Sequence, residues 1–472
     1  MHPGAASTPG VLLGGQRARA GLLFAYDWDR LAFDQLPGVR PHWDRAGFDL
    51  FSFPSNVRLV GFDMERMARR LAAHGRRNGW SAVLSHHEQF GALTAALVAE
   101  KLGLPGASVE SILAAQHKLH ARRVLQAVAP EANLAFEPLD AAYGDPIPAG
   151  IAYPRYVKPV KAAFSVLARR VNDAAQLHKH TRFGRGELWV IRHLVEPFER
   201  VCRERLPQAG TAHQLMLEEP VPASVPQFNL DGWVAEGHVQ ALGVVDAVMY
   251  PDTQAFMRWE YPSRLAPRVQ ARALDVARRF LQAIGYRLGF FNLEFFHDPV
   301  TDRLSVIECN PRLASQFSDL YQRVDGRNPH AMSLALALGD DPLAIPRTEP
   351  TAGAAASLVY RTFEGEPIPA TPPKSVQQRW QASFPDGLLF PMPKSGSSLV
   401  RDFKWTGSHR YGIVHLGAAD RAALQARAQE ASAVLGWPAP YAHAEPARTV
   451  AAVADQLPLD SAGTLAAMRP AS

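Results

Sequence analysis

A chain of 472 residues, 47% hydrophobic and 20% charged, is long enough for roughly two to four domains and too apolar for disorder. Its 50 Lys and Arg against 45 Asp and Glu leave a net charge of +5, which suits a small anionic substrate but is no argument for nucleic acid. No basic cluster alternates with aromatics as single-strand binding requires, and no apolar run reaches the roughly 20 residues of a membrane span.

Residues 1–20 read as a flexible leader. Their basic residues follow the short apolar patch, the reverse of a secretory signal. Residues 21–112 read as an N-terminal α/β domain. In it, residues 21–26, 49–53 and 80–85 are strands, and 64–78 and 90–102 are helices, the second stopped by Gly103 and Pro105. Alternating strand and helix predict a parallel sheet, with ligands beyond the carboxyl ends of its strands. His86, His87 and Glu88 fall there. A polar helix start is the simplest reading of these three, with Glu88 as a substrate contact the second; no further His or Cys nearby supports a metal.

A helical stretch from residue 111 carries Lys118 and ends near Pro130. Strands follow at 153–158 and 166–171, then a largely helical region at 173–212 and a strand at 214–218. Residues 229–234 and 239–246 form a hairpin around Gly237, and 267–284 an amphipathic helix closed by Gly285. After Gly339, Pro342, Pro346 and Pro350 mark a boundary. Residues 341–440 then read as a C-terminal α+β domain, with strands at 355–360 and 411–416 and a helix at 419–435, before a weakly patterned tail at 441–472. The two cysteines, Cys202 and Cys309, allow neither a disulfide framework nor a zinc set and point to a reducing compartment, hence the cytoplasm.

The most informative segment is 289–326. Two short strands, 290–296 and 304–308, are joined by a turn-rich connection. Antiparallel neighbours can bring Glu294 and Glu308 to one face. With the Asn310 amide they make an all-oxygen set suited to Mg²⁺, and Arg312 could grip a phosphate or carboxylate as a fork. By itself the segment also reads as an ordinary hairpin with surface carboxylates.

The ordered series Lys118, Lys158, Glu218-Glu219, Glu294 and Glu308-Cys-Asn310-Pro-Arg312 resembles the ATP-grasp superfamily over residues 81–339. The resemblance implies an ATP-grasp domain over 113–340, its lid at roughly 150–220, between the α/β and α+β domains. It places Lys118, in QHKLHARRVL, near the nucleotide phosphates, and Lys158 by the α-phosphate and adenine edge. The phosphate loop departs from the family: in VKAAFS, Ser165 survives, but alanines stand where glycines are usual, with Lys161 supplying charge. Glu218, Glu219 and Val221 resemble the hinge that bonds adenine and ribose. Gln227, in QFNLDG, stands where the family has an acid. Glu294, Glu308 and Asn310 match the positions that hold Mg²⁺, with Mn²⁺ an alternative. Arg312 would bridge ATP and the acyl substrate; Arg258 is a second candidate, set against a reading as a surface residue.

The resemblance implies an ADP-forming carboxylate–amine ligase, similar in phrasing to L-amino-acid ligases, acting on a small carboxylic acid and an amine. A homodimer is compatible with it; nucleic acid and membrane are not expected partners. Two rivals remain. One is a biotin-carboxylase-like enzyme, although no biotin-accepting Met-Lys pair occurs. The other is a non-catalytic ATP-binding sensor or scaffold, favoured by the lost loop glycines and Gln227.

Overall fold

The computed structural model describes residues 19–36, 41–48, 59, 61–162 and 167–440. Residues 1–18 of the predicted leader, the tail, the predicted strand at 49–53 and Ser165 lie outside the described residues, while residues 19 and 20 begin the first strand instead of ending a leader.

Three parallel strands, β1 (Arg19–Leu23), β2 (His42–Ala46) and β3 (Trp80–Leu84), form the first sheet in the order β2-β1-β3. The predicted helix between them spans Met64–Asn78: the Asp63 side chain accepts from the Arg66 amide at its start, and Gly79 ends it in the left-handed region. Gly21 is required by close packing, because a Cβ there would overlap the Trp80 ring.

The stretch predicted as one helix after residue 111 is two, Val109–Gln116 and Lys118–Val128. His117 breaks it in an extended conformation, its ring accepting from the His120 amide, while the Lys118 amide bonds the Val160 carbonyl. Lys118 thus opens a helix rather than riding on the side of one.

The second sheet is antiparallel. It comprises β4 (Phe136–Leu139), β5 (Arg155–Pro159), β6 (Arg169–Val171) and β7 (Leu215–Glu218) in the order β4-β7-β5-β6. Two helices, Ala174–Thr181 and Arg185–Arg205, separate β6 from β7.

The third sheet contains β8 (Gln227–Ala235), β9 (His238–Met249), β10 (Phe256–Tyr261), β11 (Gly289–Asp298), β12 (Arg303–Asn310), β13 (Ala354–Phe363), β14 (Leu388–Pro391) and β15 (Ser408–Ala418). Its order is β12-β11-β8-β9-β10-β13-β15-β14. Because β13 pairs with β10, one sheet runs through both sides of the Pro-rich passage. β10 was not anticipated: Arg258 and Glu260 alternate with apolar residues as solvent-facing positions would, yet both are buried, with Arg258 Nε donating to Glu260 at 2.7 Å. This overturns the surface reading of Arg258. No helix among the described residues is long and apolar enough to cross a membrane.

Arg122 ties the second sheet to the third. Its buried guanidinium donates to Glu218 on β7 (2.6 Å), the Asn133 side chain (3.2 Å) and the Val306 and Ile307 carbonyls on β12 (2.7 and 3.0 Å). Arg122→Ala strips four acceptors at once and should destabilise the protein by about 3–5 kcal/mol in urea denaturation. A loss under about 1 kcal/mol would show that the junction does not depend on it.

Candidate active site

The side chains of three neighbouring strands form a polar grid. Glu294 on β11 faces Glu308 on β12 and Asn229 on β8; one step along, Asn292 faces Asn310 and Asp231. Alternation puts residues i and i+2 of a strand on one face, so both rows share it. Asn310 Nδ2 donates to Asn292 Oδ1 (3.0 Å) and Glu294 Oε1 (3.1 Å). Asn292 Nδ2 donates to Asp231 Oδ1 (2.7 Å), whose other oxygen accepts from the Tyr321 hydroxyl (2.7 Å). Asn229, Asp231 and Asn292 were not among the candidates. Their signal was present in NLD and NLE, polar residues two apart inside apolar strands.

The carboxylate pair carries opposite shifts. Burial, and then the Glu308 charge, push Glu294 up to about 8. Burial also works against charge on Glu308, but the Lys118 ammonium 2.7 Å away holds it below the usual carboxylate range. Lys118 additionally donates to the Ala162 carbonyl at 2.9 Å. Two carboxyls, an amide oxygen and an ammonium on one side fit a divalent cation: it would let both acids ionise, which Lys118 alone does not achieve.

Two cavities meet at this pair. The smaller, about 70 Å³, is lined by Lys118, Lys158, Glu218, Glu219, Val221 and Gln227 together with Glu294 and Glu308. Lys158 lies 2.8 Å from Glu218, and burial pushes its pKa down to about 8 against that partner's pull. Glu219 takes the Ala135 amide (3.2 Å) and the Arg303 guanidinium. The larger cavity, about 280 Å³, holds Glu88, Asn310 and Arg312 as well as Glu294 and Glu308, under a wall of Tyr26, Trp28, Phe256, Trp259 and Phe317. Arg312 Nε and Glu88 lie 3.2 Å apart, without the alignment of a hydrogen bond.

The structure therefore brings together ten of the thirteen candidates around two cavities that share Glu294 and Glu308, with Arg312 and Asn310 in the larger cavity and six others in the smaller. Lys161 is buried beside them, its ammonium 4.8 Å from the centre of the Phe198 ring and its pKa pushed down to about 8 by burial. Arg258 lines neither cavity, being held by Glu260. His86, read as part of a polar helix start, is drawn into a buried network: its Nδ1 and His330 Nε2 both lie 3.0 Å from Asp29, and its Nε2 lies 3.2 Å from Ser333.

These features define the ATP-grasp fold. The chain shares it with an L-amino acid ligase from Bacillus licheniformis (TM-score 0.59, 15% identity, 89% of this chain and 98% of that one). It also shares it with a biotin carboxylase from Campylobacter jejuni (TM-score 0.55, 15% identity, 88% and 91%). In sequence it is similar to carnosine synthase 1 of Gallus gallus, 26% identical over 315 residues, which make up 64% of this chain and 32% of that protein. The chain spans less than half of either curated relative it matches, 32% of one and 49% of the other. No family model matches it.

Burial also raises Asp231, to about 6, although Tyr321 and Asn292 donate to it. Between about pH 4 and 6 the folded chain thus keeps a proton that the unfolded chain has lost, so stability falls as pH rises through that window and levels off above it. Asp231→Asn, neutral and of the same shape, should remove on the order of 3 kcal/mol of that fall when denaturation curves are compared from pH 4 to 7. Parallel profiles for the two proteins would contradict the shift.

Proposed function

We propose that the protein is an ATP-dependent carboxylate–amine ligase. The observation that carries this reading is the Glu294–Glu308 pair standing between a small cavity rich in lysine and a larger, aromatic-walled one. On this reading ATP occupies the smaller cavity. Lys158, held by Glu218 at the end of β5, and Lys118, at the start of its helix, meet the phosphates; the backbone after β7 meets the base. Glu294, Glu308 and Asn310 hold Mg²⁺, which when bound neutralises phosphate charge.

A carboxylate in the larger cavity attacks the γ-phosphorus, its oxygen forming the new P–O bond as the bond to ADP breaks. An amine then attacks the acyl carbon, loses a proton and displaces phosphate. No protein nucleophile is needed; Lys118, Lys158 and Arg312 act by position and charge. Arg312 suits the bridge between the cavities because its Nε has no aligned acceptor although Glu88 lies close by.

The fold shared with an L-amino acid ligase and the likeness to a carnosine synthase support a ligase of this kind. The fold shared with a biotin carboxylase keeps that rival open on architecture. The aromatic wall and the room of the larger cavity favour a substrate bulkier than bicarbonate.

The protein should release ADP and phosphate, not AMP, only when a suitable acid is present, and hydroxylamine should trap the acyl phosphate as a hydroxamate. Arg312→Ala should cut hydroxamate yield about 100-fold or more while the protein stays folded. Release of AMP, or an undiminished hydroxamate yield in that variant, would refute the scheme. For the nucleotide, calorimetry with a non-hydrolysable ATP analogue should show a larger loss of affinity in Lys158→Ala than in Lys118→Ala. Unchanged affinity in both would mean that the phosphates lie elsewhere.

A further inference from the structure

The charged residues of the larger cavity are segregated. Glu88, Glu294, Glu308 and Arg312 lie toward β11 and β12; Arg361, Lys394, Asp402 and Arg410 lie on and beside β13 and β15. At this second end Arg361 and Arg410 are register partners on adjacent antiparallel strands. Like charges placed directly opposite destabilise a sheet unless an anion joins them.

Arg361 has none. Its Nε donates to the Phe256 carbonyl (3.1 Å) and its Nη1 to the Ser408 hydroxyl (2.9 Å), both neutral acceptors. No carboxylate lies within ion-pair distance of it among the described residues. Asp402, which bears on it electrostatically, is already committed: Lys394 Nζ sits 2.8 and 2.9 Å from its two oxygens, and His409 Nδ1 is 3.0 Å from one of them.

We infer that Arg361, beside Arg410, forms an anion subsite that holds the free carboxylate of the amine substrate, an amino acid or short peptide. The inference rests on the ligase reading for the substrate's identity, though not for the subsite. From β11 to β13 the sheet order counts four inter-strand steps, about 19 Å along the sheet at about 4.8 Å each. We accordingly assign the anion at Arg361 to a different substrate from the acid activated beside Glu294 and Glu308. A planar guanidinium fork matches a carboxylate.

The test compares L-amino acids and dipeptides, free and C-terminally amidated, as amine substrates in an ADP-release assay. In the wild type, amidation should raise KM about tenfold or more, with kcat changed far less. In Arg361→Gln the KM ratio of amide to free acid should fall to near one, and Arg361→Lys should recover part of it. A folded, active Arg361→Gln protein that keeps the wild-type ratio overturns the subsite. If no pair turns over, the ligase reading fails, and the subsite is judged by calorimetry with L-phenylalanine against L-phenylalaninamide on the ADP-loaded protein. Binding of the acid but not the amide, lost in Arg361→Gln, supports the subsite. Equal binding of both, or no binding, overturns it.

Discussion

Two acidic side chains placed directly opposite each other on adjacent strands, and withdrawn from bulk water, are the constraint around which the rest is arranged. At a separation of about 5 Å and an effective dielectric of about 20, two like charges repel by about 3 kcal/mol, before the cost of burying either. Glu294 and Glu308 can coexist only if something cationic meets them. In the protein alone Lys118 meets one and Asn310 donates to the other, which leaves Glu294 favouring its protonated form. The break at His117 acquires a purpose in this light. It turns Lys118 inward at the start of a helix, within reach of both Glu308 and the loop carbonyl of Ala162.

The second dependency is the joint between the two antiparallel sheets. Glu218 accepts from both Arg122 and Lys158 on one oxygen, so one buried acid fixes a cation that belongs to the scaffold and another that faces the small cavity. Arg122 reaches past it to the carbonyls of Val306 and Ile307, the residues just before Glu308. The position of the carboxylate pair is thereby coupled to the position of Lys158. A site that works by placement and charge requires this kind of rigid second layer.

Much of this was legible in the sequence, for identifiable reasons. β11 and β12 are apolar strands interrupted by acids at positions that antiparallel pairing brings together, and the NPR that begins on the last residue of β12 is distinctive. The helix Met64–Asn78 carries its own start and stop in Asp63 and Gly79. What escaped depends on contacts between distant segments. β10 looked solvent-facing because Arg258 and Glu260 neutralise each other inside the fold. The break at His117 has no glycine or proline to announce it. Asp29, His86 and His330 converge from three separate elements, and Arg361 meets Arg410 only through the register of β13 and β15.

The central claim is that Glu294, Glu308 and Asn310 hold a divalent cation between the nucleotide and the acyl substrate. A crystal structure grown with Mn²⁺ and a non-hydrolysable ATP analogue tests it most directly, because anomalous scattering locates the metal without reference to activity. The account predicts an anomalous peak bonded to oxygens of Glu294 and Glu308, with the analogue's phosphates on its other side and its base in the cavity beside Glu218. A nucleotide bound with no metal at that pair, or a metal seated elsewhere, would contradict it.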